Sequence, residues 1–140
     1  MALSDMQPLA TLYREAAQAA GRPPCVVLMR DAWVATSQEE AERVYGPEVL
    51  EAYKYYWRHG ALAFRHVTSE RAFTLENLAR DRIILGTPEA CVQQLHRWHE
   101  ALGTSYVLLR LRQAHSGGPP HADIMRAIEL FGARVIPQLG

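Results

Sequence analysis

Apolar positions along this chain follow two spacings, and the spacing changes at short segments rich in glycine and proline. From Ser4 to Ala20, Leu9, Leu12, Ala16 and Ala20 recur at helical spacing with Tyr13 and Ala17 beside them, which predicts an amphipathic helix. Gly21 supplies a stop, and Pro23-Pro24 forbids continuation. Cys25 to Met29 is then an apolar run without alternation, followed by Arg30-Asp31-Ala32-Trp33-Val34-Ala35. A strand buried on both faces reads this way, as strands of parallel sheets do. Thr36-Ser37-Gln38-Glu39 fits a capping box, with Thr36 accepting from the backbone of Glu39, and opens a helix towards Tyr45. Gly46-Pro47 interrupts it, and Pro47 suits the first position of a second helix that carries Val49, Leu50, Tyr53, Tyr56 and Trp57 and ends at His59-Gly60.

Residues 61 to 80 carry no clear period and read as a surface excursion, with Thr74-Leu75-Glu76-Asn77 able to open a short helix. Asp81-Arg82-Ile83-Ile84-Leu85 predicts a short strand. Gly86-Thr87-Pro88-Glu89 then starts a helix, with Thr87 as N-cap and Pro88 in the first turn. Cys91, Leu95, Trp98 and Leu102 line one face of it, and Gly103 ends it. Ser105 to Arg112 predicts a third strand, and the loop Gln113 to Pro120 holds Gly117 and Gly118. A last helix from near His121 is expected to bury Ile124, Ile128, Phe131 and Val135. The resulting order, α-βα-(excursion)-βα-βα, argues for a parallel sheet with right-handed crossovers.

The length, 140 residues with 49% apolar, suits one domain spanning 1–140. Fifteen acidic residues balance fifteen basic ones, so the basic excess that nucleic acid or an anionic membrane surface calls for is missing. No apolar run approaches the roughly 20 residues of a membrane span, and Met1 to Leu12 lacks the basic start of a signal peptide. Cys25 and Cys91 sit in apolar surroundings without a CxxC pattern, so both are expected to be reduced core residues of a cytoplasmic protein.

Three stretches, in this order, resemble the C-terminal part of the luciferase-like flavin-dependent oxidoreductase family, which includes bacterial luciferase and deazaflavin-dependent dehydrogenases. They are Arg30-Asp31-Ala32-Trp33-Val34-Ala35-Thr36-Ser37-Gln38-Glu39-Glu40-Ala41, Ile83-Ile84-Leu85-Gly86-Thr87-Pro88-Glu89, and Met125 to Pro137 with its closing Val135-Ile136-Pro137. The resemblance implies an α/β fold, a partial (β/α)₈ barrel of about three βα units plus a leading helix. It also implies FMN or the deazaflavin coenzyme F420 as cofactor and a small organic substrate. A complete barrel takes roughly 250 residues and eight strands, so the chain is expected to be inactive alone. It would need a second copy or an N-terminal half-barrel chain. A non-catalytic half-barrel serving dimerisation or scaffolding is the alternative.

Active sites of such barrels lie at the C-terminal ends of the strands. Gly86 and Thr87 stand there at a helix N-terminus, where free N–H groups favour anions, although Thr87 also suits a simple cap. Arg110 and Arg112 alternate with Leu109 and Leu111, so that with Tyr106 and Leu108 they would face the barrel interior. Either arginine there suits a phosphate or substrate anion, and Arg110 suits an ion pair with a neighbouring strand equally. Arg30 is a weaker candidate of the same kind. Gly86, Thr87, Arg110 and Arg112 are therefore the candidate cofactor-binding residues, and no catalytic residue is assigned.

His96 and His99 share a helix face but no third ligand completes a metal set. Tyr53, Tyr56 and Trp57 form one helix face and read as packing. His115 and His121 flank the glycine-proline loop, where Gln113-Ala114-His115 departs from the aromatic residue common in the family.

Overall fold

A computed structural model describes residues 1–113 and 115–140, with Arg80 described by its backbone alone. Helix α1 (Leu3–Ala19) leads into strand β1 (Val26–Val34), and helix α2 (Gln38–Arg58) follows. Two short 3₁₀ turns, Leu62–Phe64 and Glu70–Ala72, precede helix α3 (Leu75–Arg82), which runs directly into strand β2 (Ile83–Gly86). Helix α4 (Pro88–Leu102), strand β3 (Thr104–Arg110) and helix α5 (His121–Leu130) complete the order. A π-helical turn, Phe131–Val135, and a 3₁₀ turn, Ile136–Gln138, follow α5.

All strand pairs are parallel, and the sheet order is β2-β1-β3. β1 is therefore central, with Asp31 to Val34 paired to β2 and Val26 to Asp31 paired to β3. Neighbouring residues of β1 show where the helices lie. Asp31 accepts from Tyr53 of α2, whereas the guanidinium of Arg30 lies over Trp98 of α4. Successive strand residues point to opposite faces, so α2 and α4 cover opposite faces of the sheet. Right-handed crossovers that leave β1 for one neighbour and then double back to the other require this arrangement.

The helix starts are decided by local hydrogen bonds. α2 begins one residue later than the sequence suggests. Ser37 is its N-cap, accepting from Glu40 N–H at 3.1 Å, and the Glu40 carboxylate accepts from the backbone and hydroxyl of Thr36. Those two bonds hold the Glu40 carboxyl below the ordinary carboxylate range. Thr74 caps α3 and Thr87 caps α4 in the same way.

Other expectations are corrected by packing. Gly46-Pro47 does not divide α2, which runs through both residues. A buried stripe of Tyr45, Val49 and Tyr53 holds the helix together although Pro47 forfeits a hydrogen bond. Gly46 has a packing reason instead: a Cβ there would lie 2.7 Å from Leu75 Cδ1, so the Leu75 side chain of α3 packs directly against the α2 backbone at this point. Asp81 and Arg82 belong to α3 rather than to β2.

The excursion is no mere surface loop, because Phe64, Phe73 and Leu78 are buried in the common core. Phe73 packs on Trp57, whose indole N–H donates to the Val67 carbonyl at 2.8 Å. On α1 the buried side is Leu3 with Met6 and Ala10 against the core, while Leu9, Leu12 and Tyr13 stay exposed. Contacts of α1 run to α3 and α4 at the flank of the sheet, too narrow a contact to cover its whole apolar surface. Ile128 is also exposed; Ala127 takes its place in the stripe with Phe131 and Val135. Cys25, just before β1, is exposed and only Cys91 is buried.

Candidate functional site

A buried carboxylate organises the C-terminal half of the sheet. Asp31 is 5% exposed, and a lone charge at that depth is costly unless it is paired and hydrogen-bonded. Its register partner on β3 is Arg110, which meets it side-on: Nε donates to Oδ1 at 2.5 Å and Nη2 to Oδ2 at 3.1 Å. Tyr53 donates to Oδ2 at 2.7 Å and the Gln113 amide to Oδ1 at 2.6 Å. Gln113 also reaches the Tyr45 hydroxyl, which donates to the Arg110 carbonyl at 2.9 Å. Tyr45 stacks on Trp33 at 5.3 Å. One strand pair, one helix and the residues just after β3 are thus fastened around a single carboxylate.

Electrostatics fix the protonation of this group. The hydrogen bonds and charge of Asp31 push the Arg110 guanidinium pKa further up. Burial first, then the Asp31 charge, pushes both Tyr45 and Tyr53 up, Tyr53 well above its ordinary value. Both phenols stay protonated as donors through the neutral range.

The four candidate residues are not gathered at one point. Arg110 is the residue at the Asp31 centre, with the ion pair anticipated as one of its two readings. Thr87 Oγ1 accepts from Ala90 N–H as the cap of α4. Gly86 sits opposite Val34, on the other flank of β1 and three residues further along it. Its φ is +142°, and a Cβ would lie 2.3 Å from Gln38 Oε1 and 3.1 Å from Ala90 Cβ, so the turn demands glycine. Arg112 is exposed and donates from Nε to the Gly117 carbonyl at 2.5 Å, tying down the glycine-proline loop.

His115 of that loop stacks on Tyr55 at 3.8 Å, and His59 stacks on the same ring at 4.1 Å. Ala114, inside the Gln113-Ala114-His115 departure, lies outside the described residues. Tyr53 and Trp57 pack as expected, against Phe64 and Phe73. His99 Nδ1 lies 2.9 Å from the Thr104 carbonyl. Among the described residues no group of three or more His, Cys, Asp or Glu side chains is placed to hold a metal ion, and no helix is long and apolar enough to cross a membrane.

Sequence reasoning missed Asp31, Tyr45, Tyr53 and Gln113 as one unit. The available signal was Asp31 itself, a carboxylate inside an otherwise apolar strand, for which burial demands a cation.

The sheet face that carries Asp31 changes character towards the N-terminal ends of the strands. There Val27 and Met29 of β1 stand opposite Tyr106 and Leu108 of β3, and all four are more than half exposed. Together they form an apolar patch on this part of the sheet face.

No protein-family model matches the sequence, and the search of curated proteins found no similar one. Solved structures do match in fold. The monooxygenase RslO1 from Streptomyces bottropensis aligns with TM-score 0.74 at 20% identity, over 99% of this chain and 39% of that chain. The oxygenating constituent of 3,6-diketocamphane monooxygenase from Pseudomonas putida, a type II Baeyer-Villiger enzyme in complex with FMN, aligns with TM-score 0.66 at 17% identity, over 99% and 41%. The coenzyme F420-dependent tetrahydromethanopterin reductase from Methanopyrus kandleri gives 0.66 at 19%, over 99% and 43%. Nearly all of the chain thus has the fold of part of an α/β barrel, and it spans about two fifths of the length of these chains.

Proposed function

We propose that residues 1–140 are one unit, the C-terminal segment of a luciferase-like flavin-dependent oxidoreductase or monooxygenase, which works in the cytoplasm as part of a completed barrel. The observation that carries this reading is the likeness of 99% of the chain to two fifths of three chains. Two of those are named with a flavin-type cofactor, FMN in one and coenzyme F420 in the other. In such enzymes the cofactor passes a hydride, or an oxygen atom from O₂, to a small organic substrate, and the protein positions it.

Gly86, Thr87, Arg110 and Arg112 are this chain's contribution to the cofactor's surroundings, but they do not form a cradle by themselves. Arg110 holds Asp31, Thr87 caps α4, and Arg112 holds Gly117. The cofactor is held by the assembled barrel, and the isolated chain binds FMN with a Kd above about 1 μM, weaker than roughly −8 kcal/mol. Fluorescence quenching at equilibrium measures this directly, and a tighter constant contradicts the incomplete cradle. The partner is a second copy or an N-terminal half-barrel chain, seated on Val27, Met29, Tyr106 and Leu108.

A second reading, a non-catalytic half-barrel for dimerisation or scaffolding, draws support from the same internal use of Arg110 and Thr87. Visible absorption of the assembly, purified from its native host, separates the two. A flavin-type spectrum supports the enzyme reading, and a colourless assembly supports the scaffold.

A further inference from the structure

We infer that the cleft between β1, α3 and the Leu62–Phe64 turn is a binding site for a compact organic oxyanion, the phosphate or carboxylate group of a small molecule with a short apolar body. The cleft exists because β2 pairs with β1 only from Asp31 onward, which leaves the edge of β1 uncovered before that point. It encloses about 270 Å³ and is lined by Arg30, Arg82, Arg110 and Asp31, with Tyr56 and Phe64 among its apolar walls. That volume lies just below the range of pockets for drug-sized ligands, roughly 300–1,000 Å³. A small molecule fits it, and the inference does not rest on a flavin.

Charge is the main argument. Three guanidinium groups line the cleft against one carboxylate, and both oxygens of Asp31 are already taken by Arg110, Tyr53 and Gln113. Arg30 is 92% buried by its 8% exposure, yet its Nε has no hydrogen-bond partner. Its other nitrogens donate to the Met29 and Met1 carbonyls and to the Met6 thioether, none of which carries charge. Arg82 has a buried Nη1 that is also without a partner, and no carboxylate pairs with it among the described residues. Burial pulls the Arg30 pKa down, and Arg82 adds a smaller push in the same direction against the opposing pull of Tyr53 and Asp31.

The two guanidiniums are also held in place. Arg30 lies 4.0 Å from the Trp98 ring centroid and Arg82 lies 5.0 Å from that of Phe64. Donors fixed in advance, unsatisfied and of one sign are what an oxyanion needs, because guanidinium forks match phosphate and carboxylate geometry.

The test uses the whole chain with inorganic phosphate and with benzoate as probes, against sodium chloride at equal ionic strength. Melting temperature should rise saturably with at least one probe, with half-saturation at about 1 mM or tighter. Saturation by phosphate alone assigns a phosphate ester, and saturation by benzoate alone assigns a carboxylate. Arg82→Gln should weaken the effect about tenfold or more, as the loss of a charge-assisted contact does. Arg58→Gln, on an exposed ion pair with Glu51 and Glu70, should leave it intact. Should Arg82→Gln fold poorly, phenylglyoxal labelling of the unaltered protein gives the same information, with the probe protecting Arg82. No rise beyond chloride, an undiminished effect in Arg82→Gln, or no protection of Arg82 overturns the inference.

Discussion

Asp31 is the residue on which the others depend. Four of its contacts come from three segments of the chain, and removing the carboxylate leaves donors on Arg110, Tyr53 and Gln113 without an acceptor. Asp31→Ala should therefore cost about 3 kcal/mol, the low end for breaking a buried pair, since Arg110 keeps a path to solvent. Asp31→Asn keeps acceptor capacity and should cost less, on the order of 1–2 kcal/mol. Denaturant midpoints check both, and a loss below about 1 kcal/mol in Asp31→Ala would mean that the cluster does not stabilise the sheet.

Arg110→Lys should fold yet lose the side-on geometry. In the assembly proposed above, any cofactor affinity that depends on Arg110 should fall with it, and unchanged affinity would leave Arg110 as a purely structural residue.

The two cysteines give a second test at the same scale. Burial, and the charge of Glu89, push the Cys91 thiol up to about 12, whereas Cys25 is exposed. A disulfide reagent at pH 8 should find one rapidly reacting thiol in the native chain and two after denaturation; two fast thiols in the native chain would contradict the burial of Cys91. Because the folded pKa of Cys91 lies above the unfolded value of about 8.5, the folded chain keeps this proton longer. Its contribution to stability is complete below that pH and is lost as pH rises towards 12. Tyr45 and Tyr53, also raised, act in the same direction above pH 10. Midpoints measured across pH 8 to 11 should fall steadily.

At the level of elements, the sequence disclosed what is local and hid what depends on contacts between distant segments. Thr87, Pro88 and the stripe from Cys91 to Leu102 made α4 legible, because cap, first turn and buried face are all encoded within fifteen residues. Gly46-Pro47 misled for the opposite reason. The helix continues because Tyr45, Val49 and Tyr53 are buried against distant segments, and local breaker chemistry cannot report that. The excursion was illegible because Phe64, Phe73 and Leu78 bury against α2 without a period of their own.

Gly86 offers the sharpest test here. Gly86→Ala forces a Cβ onto a φ of +142° and towards Ala90, which should cost roughly 1–3 kcal/mol. Thr87→Ala should cost about 1 kcal/mol through the lost cap. If Gly86→Ala is neutral in a denaturant titration, the β2–α4 turn is not strained as described.

At the scale of the whole molecule, the order β2-β1-β3 shields the C-terminal half of β1 on both faces and leaves one apolar face open at the other end. Val27, Met29, Tyr106 and Leu108 have side chains suited to a core, yet each is more than half exposed. Exposed apolar surface costs roughly 25 cal/mol per Å² relative to burial, and stable monomers seldom display such a patch together with a free strand edge. The alternation along Tyr106 to Arg112 made this face legible, because it placed Tyr106 and Leu108 on the side away from Val107 and Leu109. What the sequence did not reveal was how far α2 would close over the same face, since that depends on Tyr45 and Tyr53 reaching Trp33 and Asp31.

A two-fold pair is the simplest closed arrangement that covers the patch with this chain alone. Light scattering of the purified chain at low micromolar concentration measures it most directly. The expected result is a dimer that dissociates or precipitates when Leu108→Glu places a charge in the patch. A soluble monomer with a cooperative melt, unchanged by Leu108→Glu, would contradict the proposal that this open face is completed by a partner.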